Sequence, residues 1–201
     1  MAIWTNTRAK TWDELIKRAL YAYTHQSSYA YFYGAKGQIL TDDVMNALIA
    51  CEPNYFNSKY TKKQIEEIKK NSRGRIGFDC SGFIGNYCLG VSGYSTALIE
   101  ACNPKTTDMY ADVAGSLLYT TRGGTSRHIG LDIGYGFCID TACESTDEAV
   151  QRAMMFRAGM IKSAQGCAGI RLYKMNEANP TTPWEVAGQS VYVSYEGADN
   201  R

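Results

Sequence analysis

Only two histidines, His25 and His128, stand in a chain of 201 residues that holds seven cysteines. Imidazole-dependent chemistry therefore has two candidates. A nucleophilic thiol must be a thiolate near neutral pH, and an ordinary cysteine titrates too high for that. The positive end of a helix and a neighbouring imidazole are the usual remedies. Phe78-Asp79-Cys80-Ser81-Gly82 leads into an apolar periodicity of Cys80, Phe83, Ile84, Tyr87 and Cys88. That spacing predicts a buried helix with Cys80 in its first turn. His128 opens a strand-like run, His128 to Ile133, and Asp140 lies beyond a Gly134-Tyr135-Gly136 turn signal. A hairpin turning there brings His128 and Asp140 together. A carboxylate so placed would hold the imidazole's tautomer and orientation, the Cys-His-acid form of triad chemistry. Each residue alone has a plainer reading. A cysteine at a helix start is commonly a small buried side chain, a histidine at a strand start is commonly structural, and Asp140 could cap the turn before a helix at Ser145. The argument rests on the three together.

The remaining cysteines, Cys51, Cys88, Cys102, Cys138, Cys143 and Cys167, carry no Cys-x-x-Cys and no zinc-ligand spacing. An odd count without a secretory signal predicts free thiols; no metal or cofactor is expected. Hydrophobic residues make up 45% and charged residues 20%, an ordinary globular composition, at a net charge of +1 without a dense basic block. That argues against nucleic acid as a partner. No apolar run approaches the roughly 18 to 20 residues of a membrane span, so no membrane anchor is expected. Met1 to Lys10 lacks the basic-then-apolar order of an export signal. The expectation is a protein held in a cytoplasm until something releases it.

Elements must position these groups. Trp12, Leu15, Ile16, Ala19, Leu20 and Tyr23 fall on one face of a helix over Thr11 to Tyr23, with Thr11 and Glu14 as a capping box. A tyrosine-rich stretch, Ser28 to Gly34, follows. A second helix starts at Thr41 and ends at Glu52-Pro53-Asn54, and Thr61 to Lys70 reads as a solvated surface helix capped by Thr61 and Gln64. Asn103 to Asp108 reads as a polar loop. Strand-like runs follow at Gly115 to Thr121, His128 to Ile133, Phe137 to Ala142 and Gly169 to Lys174, with a helix from Ser145 to Gly159 between the last two. Residues 176–201 read as an arm or linker, with Ser190 to Tyr195 a candidate strand. Helices first and then adjacent strands favour an α+β domain with an antiparallel sheet.

The motifs resemble the NlpC/P60 cysteine peptidases. Phe78-Asp79-Cys80-Ser81-Gly82-Phe83 matches that family's nucleophile motif, and His128-Ile-Gly-Leu-Asp-Ile-Gly-Tyr-Gly136 is similar to its His-Val-Gly-Ile-Tyr-x-Gly-x-Gly strand and turn. Asp140 falls at its third polar position. Tyr31-Phe-Tyr33-Gly34-Ala35 is similar to Tyr-x-Trp-Gly-Gly, and Gly115-Ser-Leu-Leu-Tyr119 to Gly-Asp-Leu-Val-Phe. The four motifs stand in the family's order over roughly residues 12 to 174. The resemblance implies a papain-like α+β catalytic domain, residues 1–175, with the nucleophile helix packed on a central antiparallel sheet. It also implies hydrolysis of peptidoglycan stem peptides, typically at the bond from γ-D-glutamate to diaminopimelate or lysine. Cys80 would attack, His128 would move the proton, Asp140 would orient His128, and the Cys80 amide would serve the oxyanion. It further implies that Tyr31 lines the site and that Asp79 and Ser81 help bind the stem peptide's free amine. The plainer readings are core packing for Tyr31 and helix capping for Asp79 and Ser81.

Three departures stand out. A helical insertion at about 38–77 separates the tyrosine motif from the nucleophile and could wall the cleft. Asp140 stands where many members have His, Asn or Gln, and Ser116 where Asp is usual. The insertion, the carboxylate and the missing export signal resemble phage and prophage endolysins, bacteriolytic enzymes released onto the wall. The rival readings are a Cys-His acyltransferase or amidase of the same superfamily acting on a non-wall substrate, and a catalytically idle wall-binding protein.

Overall fold

The computed structural model describes residues 4–108, 113–121, 127–141, 169–175 and 184–199. The helix expected over Ser145 to Gly159, and Cys143 and Cys167, lie outside the described residues. Helices α1 (Trp12–Thr24), α2 (Asp42–Cys51), α3 (Pro53–Lys59), α4 (Lys62–Ser72) and α5 (Ser95–Glu100) accompany two sheets. Strands β1 (Tyr29–Tyr31), β2 (Lys36–Ile39) and β3 (Ile76–Phe78) form a small sheet in the order β1-β3-β2. Strands β4 (Cys102–Thr106), β5 (Leu117–Thr120), β6 (His128–Gly134), β7 (Phe137–Thr141), β8 (Ile170–Lys174) and β9 (Val186–Ser190) form a six-stranded sheet in the order β4-β9-β5-β6-β7-β8. Every pairing in the larger sheet is antiparallel. The architecture is α+β.

The helix starts follow the expected chemistry. Thr11, Thr41 and Thr61 each accept a backbone N–H three residues on, which satisfies one of the orphan donors of a first turn. Thr61 and Gln64 make a complete capping box. At α1 the box is only half made: Glu14 reaches past Thr11 to the Lys10 amide, 2.8 Å away, and also pairs with Arg18.

Four expectations need correction. Pro53 ends α2 but also begins α3, because proline at the first helical position loses no hydrogen bond it could have made. The 38–77 insertion thus holds three helices, running from the end of β2 into β3. Cys102–Thr106 is an edge strand rather than a polar loop; its exposed middle residues gave it a loop's composition. The C-terminal arm is no arm: β9 lies between β4 and β5, and its strand falls at Val186–Ser190 rather than Ser190 to Tyr195. Only a register invisible to local pattern places it there.

The helix behind Cys80 also differs. Its first turn, at Cys80 and Ser81, is α, but Gly82–Leu89 winds as a π-helix. All eight of those residues are buried, so no solvent-facing side marks a helical period. Gly82 is obligatory, since a Cβ there would lie 2.3 Å from the Ala35 carbonyl oxygen. Tyr29, Phe78, Phe83 and Tyr87 pack edge and face behind Cys80, and the Tyr29 and Tyr87 hydroxyls meet at 2.7 Å. Buried Arg18 of α1 donates to the Cys88 carbonyl at the far end of this helix and to the Thr7 carbonyl, where free carbonyls favour a cation. Leu40, Met45, Phe56, Tyr60 and Ile68 of the insertion form a second core with Phe32, which follows β1.

Candidate active site

Cys80 and His128 arrive from different elements. β3 ends at Phe78, the chain turns through Asp79, and Cys80 begins the nucleophile helix. His128 is the first residue of β6, paired with Thr120 of β5. Leu131 pairs with Ile139 across the β6–β7 hairpin. Carrying that register on by one residue sets Gly130 opposite Asp140, so His128 and Asp140 are diagonal neighbours on one face. The turn between them needs backbone of unusual sign: Gly134, Tyr135 and Gly136 have φ of 85°, 57° and 72°.

The three groups form a chain. His128 Nε2 lies 2.8 Å from Asp140 Oδ2. That leaves Nδ1 for the side-chain hydrogen bond between His128 and Cys80. Ser95 Oγ, at the first residue of α5, lies 3.8 Å from Cys80 Sγ. Asp140 has no solvent exposure and His128 only 5%, whereas Cys80 is partly exposed. A partly exposed cysteine backed by a buried base is the geometry a thiol nucleophile needs.

Charge follows the same chain. Burial pushes the Cys80 thiol up, but the hydrogen bond and charge of His128, helped by Ser95, outweigh it, and the thiol ends below its ordinary value. Burial pushes His128 down, but hydrogen bonds to Asp140 and Cys80 and both their charges carry it above its ordinary value. The two shifts favour a thiolate–imidazolium pair. Other cysteines go the opposite way. Burial raises Cys102 and Cys138 to about 12, and Cys88 further still.

Asp140 holds more than the histidine. Arg171 Nε donates to Oδ1 at 2.6 Å, Arg171 Nη2 donates to Oδ2, and the Tyr173 hydroxyl donates to Oδ2 at 2.9 Å. Burial would raise the Asp140 carboxyl, but Arg171 and His128 hold it well below the carboxylate range. Sequence reasoning missed both partners. Part of the signal was present: Arg171 and Tyr173 alternate along β8, but the pairing of Arg171 with Asp140 is seen only in the sheet. Trp184 was missed as well. Its ring stacks on His128 with centroids 5.6 Å apart. Gly130 makes room for it, because a Cβ at 130 would lie 2.8 Å from the indole.

Asp79 caps the helix that begins at Cys80, and the Ser81 hydroxyl bonds to Asp79 rather than to the helix backbone. Asp79 Oδ1 accepts the Gly82 N–H at 2.7 Å and the Ser81 hydroxyl at 2.9 Å. Lys36 was not anticipated. Its ammonium lies 2.8 Å from both Asp79 oxygens and 2.5 Å from Ser81 Oγ. Tyr31 is partly buried in β1, opposite Phe78. Two residues on, Tyr33 stacks on Tyr55 at 3.8 Å, and burial, followed by the charges of Glu52, Asp79 and Cys80, raises its phenol.

Neither a scan against protein-family models nor a search of the curated proteins finds a match to this chain.

Proposed function

We propose that this chain is a cysteine endopeptidase that hydrolyses peptidoglycan stem peptides at the bond from γ-D-glutamate to diaminopimelate or lysine. The observation behind the reading is the relay itself: a lowered Cys80 thiol, a raised His128, and a buried Asp140 2.8 Å from the imidazole. The Asp-Cys-Ser-Gly and His-Ile-Gly motifs around it resemble the NlpC/P60 family, and a papain-like fold is part of the same proposal. A nucleophile helix beside an antiparallel sheet that bears the histidine supports it. The bacteriolytic reading, an enzyme kept in the cytoplasm until released onto the wall, rests on the resemblance alone.

In this mechanism the Cys80 thiolate adds to the scissile carbonyl carbon. The oxyanion is met by the Cys80 N–H, in the first turn where amides lack intrahelical partners. The tetrahedral adduct collapses as His128 gives its proton to the leaving amine, and a thioester remains on Sγ. His128, now neutral, takes a proton from water while the hydroxide adds to the thioester carbonyl. Collapse releases the carboxylic acid and restores the thiolate and imidazolium. Asp140 keeps Nδ1 aimed at sulfur throughout and stabilises the imidazolium.

The test is digestion of purified peptidoglycan from several bacteria, wild type beside Cys80→Ala, with fragments read by mass spectrometry. New N-termini on diaminopimelate or lysine, absent with the variant, are the expected result. No release from any wall, with Cys80 still reactive to an alkylator, would overturn it.

A further inference from the structure

The carboxylate next to the nucleophile already holds an amine. Lys36 Nζ has three acceptors for its three N–H bonds: Asp79 Oδ1, Asp79 Oδ2 and Ser81 Oγ, at 2.8, 2.8 and 2.5 Å. Oδ1 is filled from within as well, by the Gly82 amide and the Ser81 hydroxyl. Lys36 is no wandering surface side chain. β2 pairs it with Phe78, the residue just before Asp79, and the ring of exposed Tyr94 lies 5.6 Å from its ammonium. The insertion that follows β2 returns the chain as β3, so one small sheet carries both Lys36 and the run into Cys80.

We infer that Lys36 is a built-in occupant of an amine position beside Cys80, so that the peptide this enzyme takes is one whose amine at that position is acylated rather than free. The inference rests on the peptidase reading above and deepens it. A substrate ammonium entering here would meet another ammonium and a carboxylate already neutralised, and like charge brought together rejects a ligand more strongly than a missing contact does. An amide brings no charge and needs no carboxylate. In wall chemistry the distinction is between a stem peptide still amide-linked through its N-terminus to the glycan and one released with a free terminus. Lys36 selects the linked form.

The experiment pairs a stem peptide bearing a free N-terminal amine with its N-acetyl counterpart, on wild type, Lys36→Met and Lys36→Arg. Wild type is expected to favour the acetylated peptide in kcat/KM by at least about tenfold. Lys36→Met frees Asp79 and shifts the ratio toward the free amine, while Lys36→Arg keeps the wild-type order. A second readout needs no turnover: modification of Cys80 by a neutral methanethiosulfonate against an ammonium-bearing one, located by peptide mapping because Cys51 is also exposed. Lys36→Met is expected to raise the relative rate of the ammonium reagent. Wild-type preference for the free-amine peptide, or equal reagent ratios in wild type and Lys36→Met, would overturn the inference and leave the peptidase reading standing. Cleavage of neither peptide, with the reagent ratio shifting as expected, would instead remove the peptidase reading and keep Lys36 as the guard of an uncharged subsite.

Discussion

Two carboxylates flank the reactive pair, and each is matched to a cation. Asp140 belongs to the six-stranded sheet and takes donors from His128, Arg171 and Tyr173. Asp79 belongs to the start of the nucleophile helix and takes them from Lys36, Ser81 and the Gly82 amide. The chemistry of the two pairs is the same, and their burial is not. Asp140 and Arg171 have side-chain exposures of 0% and 10%, against 11% for Asp79 and 26% for Lys36. A pair without solvent cannot open without stranding a charge, so it fixes geometry. A pair with one partner in partial contact with water contributes less to stability, so it can be replaced at small cost to the fold. The sheet side of the site is built to hold the imidazole still, and the helix side to discriminate.

The sharpest break of this comparison is Asp140→Asn. It loses the charge that holds His128 as imidazolium and strands Arg171 in a buried place. We expect kcat/KM to fall by about 10²- to 10⁴-fold, the range of a lost acid–base alignment. Stability at neutral pH should fall by about 3–5 kcal/mol, as when one member of a buried pair is removed, and urea unfolding measures it. The sign follows from the carboxyl's lowered value. Asp140's contribution is complete above the unfolded carboxylate range and is lost as pH falls through the folded value. The gap between wild type and variant therefore narrows below about pH 4. Asp79→Asn keeps an oxygen for the Gly82 amide and lets Lys36 turn to water, so its cost should stay within about 1 kcal/mol. Equal costs for the two substitutions would show that burial does not separate the pairs.

The pH profile sharpens the same contrast at smaller effect. The proposed mechanism needs thiolate and imidazolium together. Its acid limb reports protonation of Cys80 at a lowered value, and its alkaline limb reports loss of the His128 proton at a raised one. Removing the Asp140 charge lowers the His128 value, so the alkaline limb of any residual kcat/KM in Asp140→Asn moves to lower pH. An unmoved alkaline limb would mean that the proton is held by something other than Asp140.

The same division governs what could be read in advance. His128 and Asp140 were legible because a hairpin is local: a turn signal and a strand period are enough to bring residues of one face together. Cys80 was legible because a helix start is local as well. What stayed hidden depended on chain far away. Arg171 lies 31 residues beyond Asp140, and Lys36 precedes Asp79 by 43. Trp184 reaches His128 only because β9 inserts between β4 and β5. No period in Gly169 to Lys174 says which strand will face it, although its alternation says that Arg171 and Tyr173 share a side. The π-helix was hidden for a different reason, since an apolar run buried all round has no face to reveal its winding.

Ser95 gives the smallest effect and the finest test of which groups tune the thiol. Its hydroxyl stands 3.8 Å from Cys80 Sγ and contributes to lowering the thiol, in third place behind the hydrogen bond and charge of His128. A hydrogen bond of this weak kind is worth about 0.5–1.5 kcal/mol, so Ser95→Ala should slow alkylation of Cys80 by about three- to tenfold on the acid side. The profile should meet the wild type's where the thiol is fully ionised. In kcat/KM the acid limb should move upward while the alkaline limb, which belongs to His128 and Asp140, stays in place. That asymmetry separates a hydroxyl acting on sulfur from one that merely fills space at the start of α5, for which loss of packing would lower both limbs alike. Alkylation at the wild-type rate across the whole range would assign Ser95 to packing and leave His128 alone in charge of the thiolate.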